Sequence, residues 1–344
     1  MSFTSSNSIC RVAVDAMGGD FAPHNAVLGA VEAQNVLSDV EVFLIGKKDL
    51  ILNEISQNNL TFNEDRIINA EQVIDMHDKP TEALKSKPDS SIVVGARMLR
   101  EKKIDAFLSA GNTGAMMAAS TLISGRIKGV SRPTIGASFP TDKGKFCNVY
   151  DVGASVDSKP EHLFEYAIMG SIFTKEIFGI ENPSIGILSV GEEDEKGNEL
   201  VKAASKLIKN SNLNFYGNVE GRDILKGTVD VVVCDGFVGN ILLKFGESVV
   251  GFLKGMIKNY AYQSFTNKVK VLLSKGTLKN ALKDLDYQAY GGVPLLGING
   301  ISMIGHGSSS ILAMKNMVLS AKKMYDKQLV KKIEESVNFY KNKE

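Results

Sequence analysis

The sequence predicts a doubly wound α/β sandwich, and three observations predict it. Strands alternate with helices along most of the chain, each pair joined by a glycine-rich turn, as in a sheet covered by helices. Val229–Cys234 (VDVVVC) is a β-branched run of the kind found in strands buried on both faces of a parallel sheet. At 344 residues the chain exceeds the roughly 250–300 at which one hydrophobic core stops growing, so a large α/β body with an appended element is expected. The contents of 44% hydrophobic and 23% charged residues are ordinary for a globular protein.

In chain order, Arg11–Asp15 is a short strand followed by AMGGDFAP, and a helix runs from His24 to Leu37 after Pro23. Val40–Ile45 is the next strand, then a helix near Leu50–Gln57 and a strand near Arg66–Asn69. Asp89–Arg100 carries Ile92, Ala96 and Leu99 on one helical face, and Asp105–Ser109 is a strand opening into a small-residue helix. Phe146–Val149 is a strand, and Pro160 suits the first position of a helix over Glu161–Phe178 that Gly179 stops. Ser184–Val190 is a strand and Glu199–Lys209 a helix. After Val229–Cys234 comes a glycine-rich stretch, Tyr290–Ser310, and helices over Ser308–Tyr325 and Lys327–Lys341 close the chain.

The chemistry-bearing stretches lie where these strands end. In DGFVGN, Asp235, Gly236, Gly239 and Asn240 make a tight turn into a helix N-terminus, where backbone N–H groups and the helix dipole favour an anion. SAGNTGA puts Asn112, Thr113 and Gly114 at a second helix start, with several N–H donors available to an oxyanion. In DAMGGD, Gly18 and Gly19 permit close approach of backbone to ligand, flanked by Asp15 and Asp20; plain turn chemistry fits equally well. GEEDEKGNE presents Lys196 beside a glycine after a strand end, a candidate electrophilic stabiliser among solvated acids. GHGSSS offers His306, Gly307 and Ser308 as polar ligand contacts, but lacks the third glycine of a dinucleotide fingerprint.

Several classes are disfavoured. A net charge of +1 gives no global attraction to nucleic acid. Cys10, Cys147 and Cys234 are scattered, as expected of a reducing cytosol, and four dispersed histidines predict no metal site. Met1–Cys10 is polar and lacks the apolar core of a signal peptide, and no continuous apolar run approaches the roughly 18 residues that span a bilayer. A flexible start over residues 1–10 and a single α/β domain over 11–344 are expected. Cys234 ends a buried strand and no serine sits in a GxSxG elbow, so an attacking group is expected to be a bound small anion.

One segment departs from the alternation. Between Glu247 and Asp284 there is no acidic residue, yet Lys254, Lys258, Lys268, Lys270, Lys275, Lys279 and Lys283 all fall there among apolar and aromatic residues. This predicts a projecting basic helical hairpin over about 247–285, with helices near Glu247–Gln263 and Asn267–Leu285. Its partner is expected to be acidic, either an anionic membrane surface or an acidic protein, and a merely solvated face is the bland alternative.

VAVDAMGGDFAP, SAGNTGA, DVGASVDSKPEHL, SVGEEDEKGNEL, GNVEGRD, DGFVGNILLK and YGGVPLLGINGISMIGHGSSS occur in the order found in bacterial phosphate acyltransferases, and the chain resembles that family from about Val12 to Lys322. The resemblance implies a Rossmann-like α/β/α sandwich related to isocitrate dehydrogenase and phosphotransacetylase, and a homodimer. It implies an acyltransferase of phospholipid synthesis that forms acyl phosphate from acyl-acyl carrier protein and inorganic phosphate without cofactor or metal. It places the protein in the cytoplasm, peripherally associated with the inner face of the cell membrane, supplying a downstream membrane acyltransferase that uses acyl phosphate. By motif position it makes Lys196 and Asn240 the catalytic polar residues. Ser155 departs from the asparagine usual in the family's DVGAN. A phosphotransacetylase using acyl-CoA, a dehydrogenase needing NAD and a divalent metal, and a non-catalytic membrane scaffold are the rival readings.

Overall fold

The computed structural model describes residues 9–281 and 291–341; residues 1–8 of the expected flexible start and 282–285 of the expected hairpin lie outside the described residues. The elements run β1 (Cys10–Asp15), α1 (His24–Val36), β2 (Val40–Gly46), α2 (Lys48–Gln57), β3 (Ile67–Asn69), α3 (Pro80–Ser86), α4 (Ser91–Arg100), β4 (Ala106–Ser109) and α5 (Thr113–Ala119). They continue as β5 (Thr134–Pro140), β6 (Phe146–Tyr150), α6 (Pro160–Phe178), β7 (Ile185–Leu188), α7 (Glu199–Lys209), β8 (Phe215–Val219), α8 (Gly221–Lys226) and β9 (Val231–Val233). Then follow α9 (Gly236–Tyr262), α10 (Phe265–Ala281), β10 (Val293–Leu296), β11 (Ile301–Ile304), α11 (Ile311–Asp326) and α12 (Leu329–Lys341). They divide into two compact units, one of Met1–Ile135, Ser171–Asn182 and Gln288–Glu344, the other of Gly136–Gly170 and Pro183–Tyr287.

The first unit has the strand order β3-β2-β1-β4-β11-β10, with the first residues of β5 beyond β10. β1, β2, β3, β4 and β11 are parallel, whereas β10 runs against both of its neighbours. Every residue of β4 and all but one of β1 are buried, as strands covered on both faces must be. α4 packs on β1, β2 and β4, and α11 on β1, β4 and β11. Val14, Leu108 and Met303 are register partners, so three adjacent parallel strands end level at Asp15, Ser109 and Ile304.

The second unit takes the rest of β5 and continues in the order β6-β9-β7-β8. The predicted central strand is there: Val231, Val232 and Val233 are wholly buried, with β6 and β7 parallel on either side. Tyr150, Val233 and Ile187 are level, so the turns after β6, β9 and β7 leave the same edge.

Sequence patterning foresaw most of this framework, with instructive differences. β10 and β11 were hidden in the glycine-rich stretch, because VPLL and ISMI are short and bounded by glycines that read as loop. The first hairpin helix begins at Gly236, eleven residues before its expected start. Asp235 caps it, and nothing between Gly236 and Glu247 interrupts the helical hydrogen bonds, so turn and helix are one 27-residue element. α9 and α10 pack against each other.

At the opposite edge from the turns, Lys322 of α11 is 7% exposed and lies 2.7 Å from Asp39, with Asp326 as its second partner. The hydrogen bond from Lys322 holds the Asp39 carboxyl below its ordinary range. A carboxyl lowered in the folded state contributes stability above its unfolded pKa, which is lost as pH falls through the folded value. Asp39→Asn should therefore lower the Tm at pH 7, and the deficit should shrink as pH drops below the ordinary value of 3.8. Melting curves of both proteins from pH 7 to pH 2 check this; a deficit that does not change with pH would contradict it.

Candidate active site

In the first unit a buried carboxylate gathers the turns. Asp15 is 1% exposed; Ser109 donates its hydroxyl to Oδ2 at 2.7 Å and Met17 N–H donates to Oδ1 at 3.0 Å. Burial raises its pKa, and the hydrogen bonds from Ser91, Ser109, Met17 and Gly18 oppose that rise. The Ser109 hydroxyl in turn accepts from Gly111 N–H at 3.0 Å. Gly18 fits because it has no side chain: a Cβ there would lie 2.7 Å from Asp15 Oδ2, 2.7 Å from Gly111 N and 2.9 Å from Ser109 Oγ. The third turn closes on the first, with Asp20 N–H donating to Gly307 O at 2.7 Å and Gly19 packed on the same carbonyl. His306 Nδ1 accepts from Ser308 N–H at 3.1 Å and lies 2.8 Å from the Ser308 hydroxyl. The predicted residues Asp15, Gly18, Gly19, His306, Gly307 and Ser308 are thus brought together with the start of α5.

Asn112 is committed within the protein. Its Oδ1 accepts from Ala115 N–H at 3.0 Å as the α5 cap, and its Nδ2 donates to the carbonyls of Asp75, Met76 and Asp78. The N–H groups of Thr113 and Gly114 meet no acceptor among the described residues, as the first N–H groups of a helix do. Gly114 also packs on α3, where a Cβ would lie 2.6 Å from Pro80 Cγ.

In the second unit the organiser is Asp151, which the motif reading passed over. Its carboxylate is fully buried and accepts from Gly153 N–H at 3.2 Å, Ala154 N–H at 2.9 Å, Ser155 N–H at 2.8 Å and the Ser155 hydroxyl at 3.0 Å. The signal that could have found it is positional: like Asp15, it stands at the C-terminal end of a strand and precedes a glycine-bearing turn. Asp235 caps α9, its Oδ1 accepting from Phe237 and Val238 N–H at 3.0 Å each. Gly236 and Gly239 are the residues over which the Asp151 turn lies. A Cβ at Gly236 would meet Ser155 O and, at 2.5 Å, Asp151 Oδ2; one at Gly239 would meet the Asp151 carbonyl.

Asn240 sits exposed one residue on, its side chain against Gly153: a Cβ built there would lie 3.4 Å from Asn240 Oδ1. The amide has no hydrogen-bond partner among the described residues. Lys196 is exposed in the turn after β7. That turn is tied down by Lys196 N–H donating to Glu193 O at 2.9 Å and by Asn218 Nδ2, which donates to the same carbonyl at 2.6 Å. Of its acidic neighbours, Glu192 pairs with Arg222 and Asp194 with Lys209, while the Lys196 ammonium has no ion pair among the described residues. The turns after β9 and β7 therefore each present one uncommitted donor at the same sheet edge. Burial pushes the Cys234 thiol well above its ordinary pKa, which removes it as a thiolate nucleophile.

Residues 10–332 match the family model described as "Fatty acid synthesis protein". A phosphate acyltransferase from Halothermothrix orenii is 43% identical over 330 residues, covering 95% of this chain and 98% of its own length. The chain belongs to the phosphate acyltransferase family. A second relative, the phosphate acyltransferase of Dictyoglomus turgidum, is 44% identical over 329 residues with the same coverage. The chain is an acyltransferase of lipid synthesis. Among solved structures, a phosphotransacetylase from Streptococcus pyogenes aligns at 17% identity with a TM-score of 0.63, covering 92% of this chain and 94% of that one. A branched-chain phosphotransacylase from Enterococcus faecalis aligns at 14% identity with a TM-score of 0.53, covering 92% and 98%. At those identities the likeness speaks for the fold, which this acyltransferase shares with phosphotransacetylases.

The crowding around Gly18 carries a consequence for the acyltransferase. In Gly18→Ala the added methyl meets a backbone nitrogen and a hydrogen-bonded carboxylate, neither of which can swing away. Overpacking of this kind costs about 1–3 kcal/mol, and urea unfolding should show it as a lower midpoint at unchanged slope. An unshifted midpoint would mean that the three turns are looser than described.

Proposed function

We propose that the chain transfers the acyl group of an acyl-carrier-protein thioester to inorganic phosphate, releasing acyl phosphate and the free carrier thiol. The observation that carries this reading is the pair of uncommitted donors, Lys196 and Asn240, at the ends of adjacent parallel strands in a chain of this family. A phosphate oxygen attacks the thioester carbonyl, a C–O bond forms, and the carbonyl electrons move onto oxygen. Lys196 and Asn240 donate to that oxyanion, where fixed donors act most strongly. Collapse of the intermediate breaks the C–S bond, and the thiolate leaves to take its proton from solvent. In the first unit, taken by itself, Thr113 and Gly114 N–H, with His306, Gly307 and Ser308 at the neighbouring turn, are candidate anion donors. Asn112, Asp15, Gly18 and Gly19 shape that cradle, and Asp235 and Gly239 shape the turn that carries Asn240.

Replacing either Lys196 or Asn240 by Ala should lower turnover by roughly 10²–10³, the loss expected of one oxyanion donor, with an unchanged circular dichroism spectrum. The assay is acyl-carrier-protein thioester with and without phosphate, followed by detection of acyl phosphate. Near-normal turnover in both variants at saturating phosphate would refute the assignment. An acyl-CoA arm separates a phosphotransacetylase, and a nicotinamide absorbance arm separates a dehydrogenase.

The α9–α10 pair is assigned to partners. Phe252, Met256, Tyr262, Phe265, Leu272 and Leu273 are each more than half exposed on it, beside Lys254, Lys258, Lys268 and Lys270. The most apolar window of α9 has a mean hydropathy of 1.3 and is 11% buried, so by length and composition the helix could cross a membrane. The interleaved lysines favour an interfacial position instead, on the cytoplasmic face of an anionic membrane, where each contributes about 1 kcal/mol. Acidic carrier protein suits the same charge, and a homodimer and a membrane acyltransferase that consumes acyl phosphate complete the proposed setting. Changing these four lysines to Glu should sharply reduce co-sedimentation with anionic vesicles. The wild type should itself release vesicles as salt shortens the screening length from about 10 Å at 0.1 M to about 3 Å at 1 M. Loss of kcat/KM for carrier-protein thioester alone would assign the surface to that partner, and no change in either would leave it a solvated face.

A further inference from the structure

Asn240 is a donor held by packing alone. No hydrogen bond from the protein fixes its amide among the described residues, and its side chain rests against Gly153, with the nearest atoms 3.4–3.5 Å from a Cβ built there. Gly153 itself has φ of +135°, a conformation that L side chains rarely adopt, and the turn keeps it because Asp151 collects the N–H groups of residues 153, 154 and 155. The same aspartate reaches the helix directly. Its carboxylate abuts Gly236 and its carbonyl abuts Gly239 while accepting from Cys234 Sγ at 3.4 Å, so residues on both sides of the α9 N-terminal turn rest on it. One buried residue therefore sets both the backbone from which Asn240 projects and the surface against which its amide lies. A carboxylate so far from solvent is costly unless fully satisfied, and this one accepts from the turn that contacts Asn240.

We propose that Asp151 is a positioning residue for acyl transfer, holding the Asn240 amide in place for the oxyanion; this rests on the role given to Asn240 above. Asp151 touches neither substrate in this assignment and acts through the 153–155 turn. Asp151→Asn keeps the size of the side chain but turns an NH2 toward the Ser155 N–H, two donors face to face, which opens the turn. Misplacement of a reacting or stabilising group by about 1 Å can cost on the order of 10²-fold.

The test is a double-mutant cycle on the full-length enzyme, with kcat and both KM values measured for wild type, Asp151→Asn, Asn240→Ala and the double variant. The expected result is a kcat lowered roughly 10–100-fold by Asp151→Asn, with the KM for phosphate little changed, and a double variant no slower than Asn240→Ala alone, because the group being positioned is gone. Multiplying effects in the double variant, or an Asp151→Asn enzyme as fast as wild type, overturn the inference while leaving the role of Asn240 standing. An Asn240→Ala enzyme at full rate overturns that role and the inference with it. Should Asp151→Asn fail to fold, Ser155→Ala removes only the hydroxyl donor to Oδ2. It should lower kcat by about threefold, the worth of a weak hydrogen bond, and should have no effect in the Asn240→Ala background; an equal effect in both backgrounds overturns the inference.

Discussion

A carboxylate removed from water must be met by donors, and in each unit of this protein one such group sits at the end of a parallel strand. Asp15 and Asp151 occupy equivalent places, each the first residue beyond or the last within its strand, each buried, and each satisfied by N–H and hydroxyl groups of nearby turns. An unpaired buried charge would cost far more than any one contact. The turns therefore have to curl inward so that their N–H groups point at the carboxylate. That inward curl brings backbone within van der Waals reach of backbone, and the glycines at 18, 236 and 239 stand where a side chain would collide. The glycine-rich character of the candidate site follows from the two carboxylates as much as from any ligand.

The sequence made the framework legible where a single physical rule governs. Val231–Val233 are buried on both faces and nothing else, so their composition announced them. Pro160 begins α6 because a proline costs no hydrogen bond there. The rule failed where structure depends on partners distant in the chain. β10 and β11 are four residues each and gain their place from one another, from β4 and from the start of β5, none of which is visible in VPLL or ISMI. The helix after DGFVGN was read to begin at the end of that turn, because DGFVGN has turn composition, although a capping aspartate makes such a turn the first coil of the helix.

The site was legible to the same extent. The positions of Lys196 and Asn240 after strand ends were readable, and the structure adds that neither donor has a side-chain partner among the described residues. Asn112 was read as part of an anion cradle at a helix start, and nothing in the sequence signals that its side chain stitches α5 to the carbonyls of residues 75, 76 and 78, more than thirty positions earlier. Asp151 drew no notice because a lone aspartate before a glycine usually means a turn; its burial comes from β6, β9 and α9 together.

β11 and α11 also bear on the order in which the protein can assemble as it leaves the ribosome. The second unit is complete once Tyr287 has emerged. The first is not: β4 lacks its neighbour β11, and α1 lacks α11, against which it packs so closely that Gly29 has room for no side chain beside Met314. α11 follows α1 by roughly 290 residues and β11 follows β4 by roughly 195, waits of about 10–60 s at the usual pace of synthesis. During that interval the apolar face of α1 and one edge of β4 have no native cover. The half of the protein that is made first is the half that must finish last.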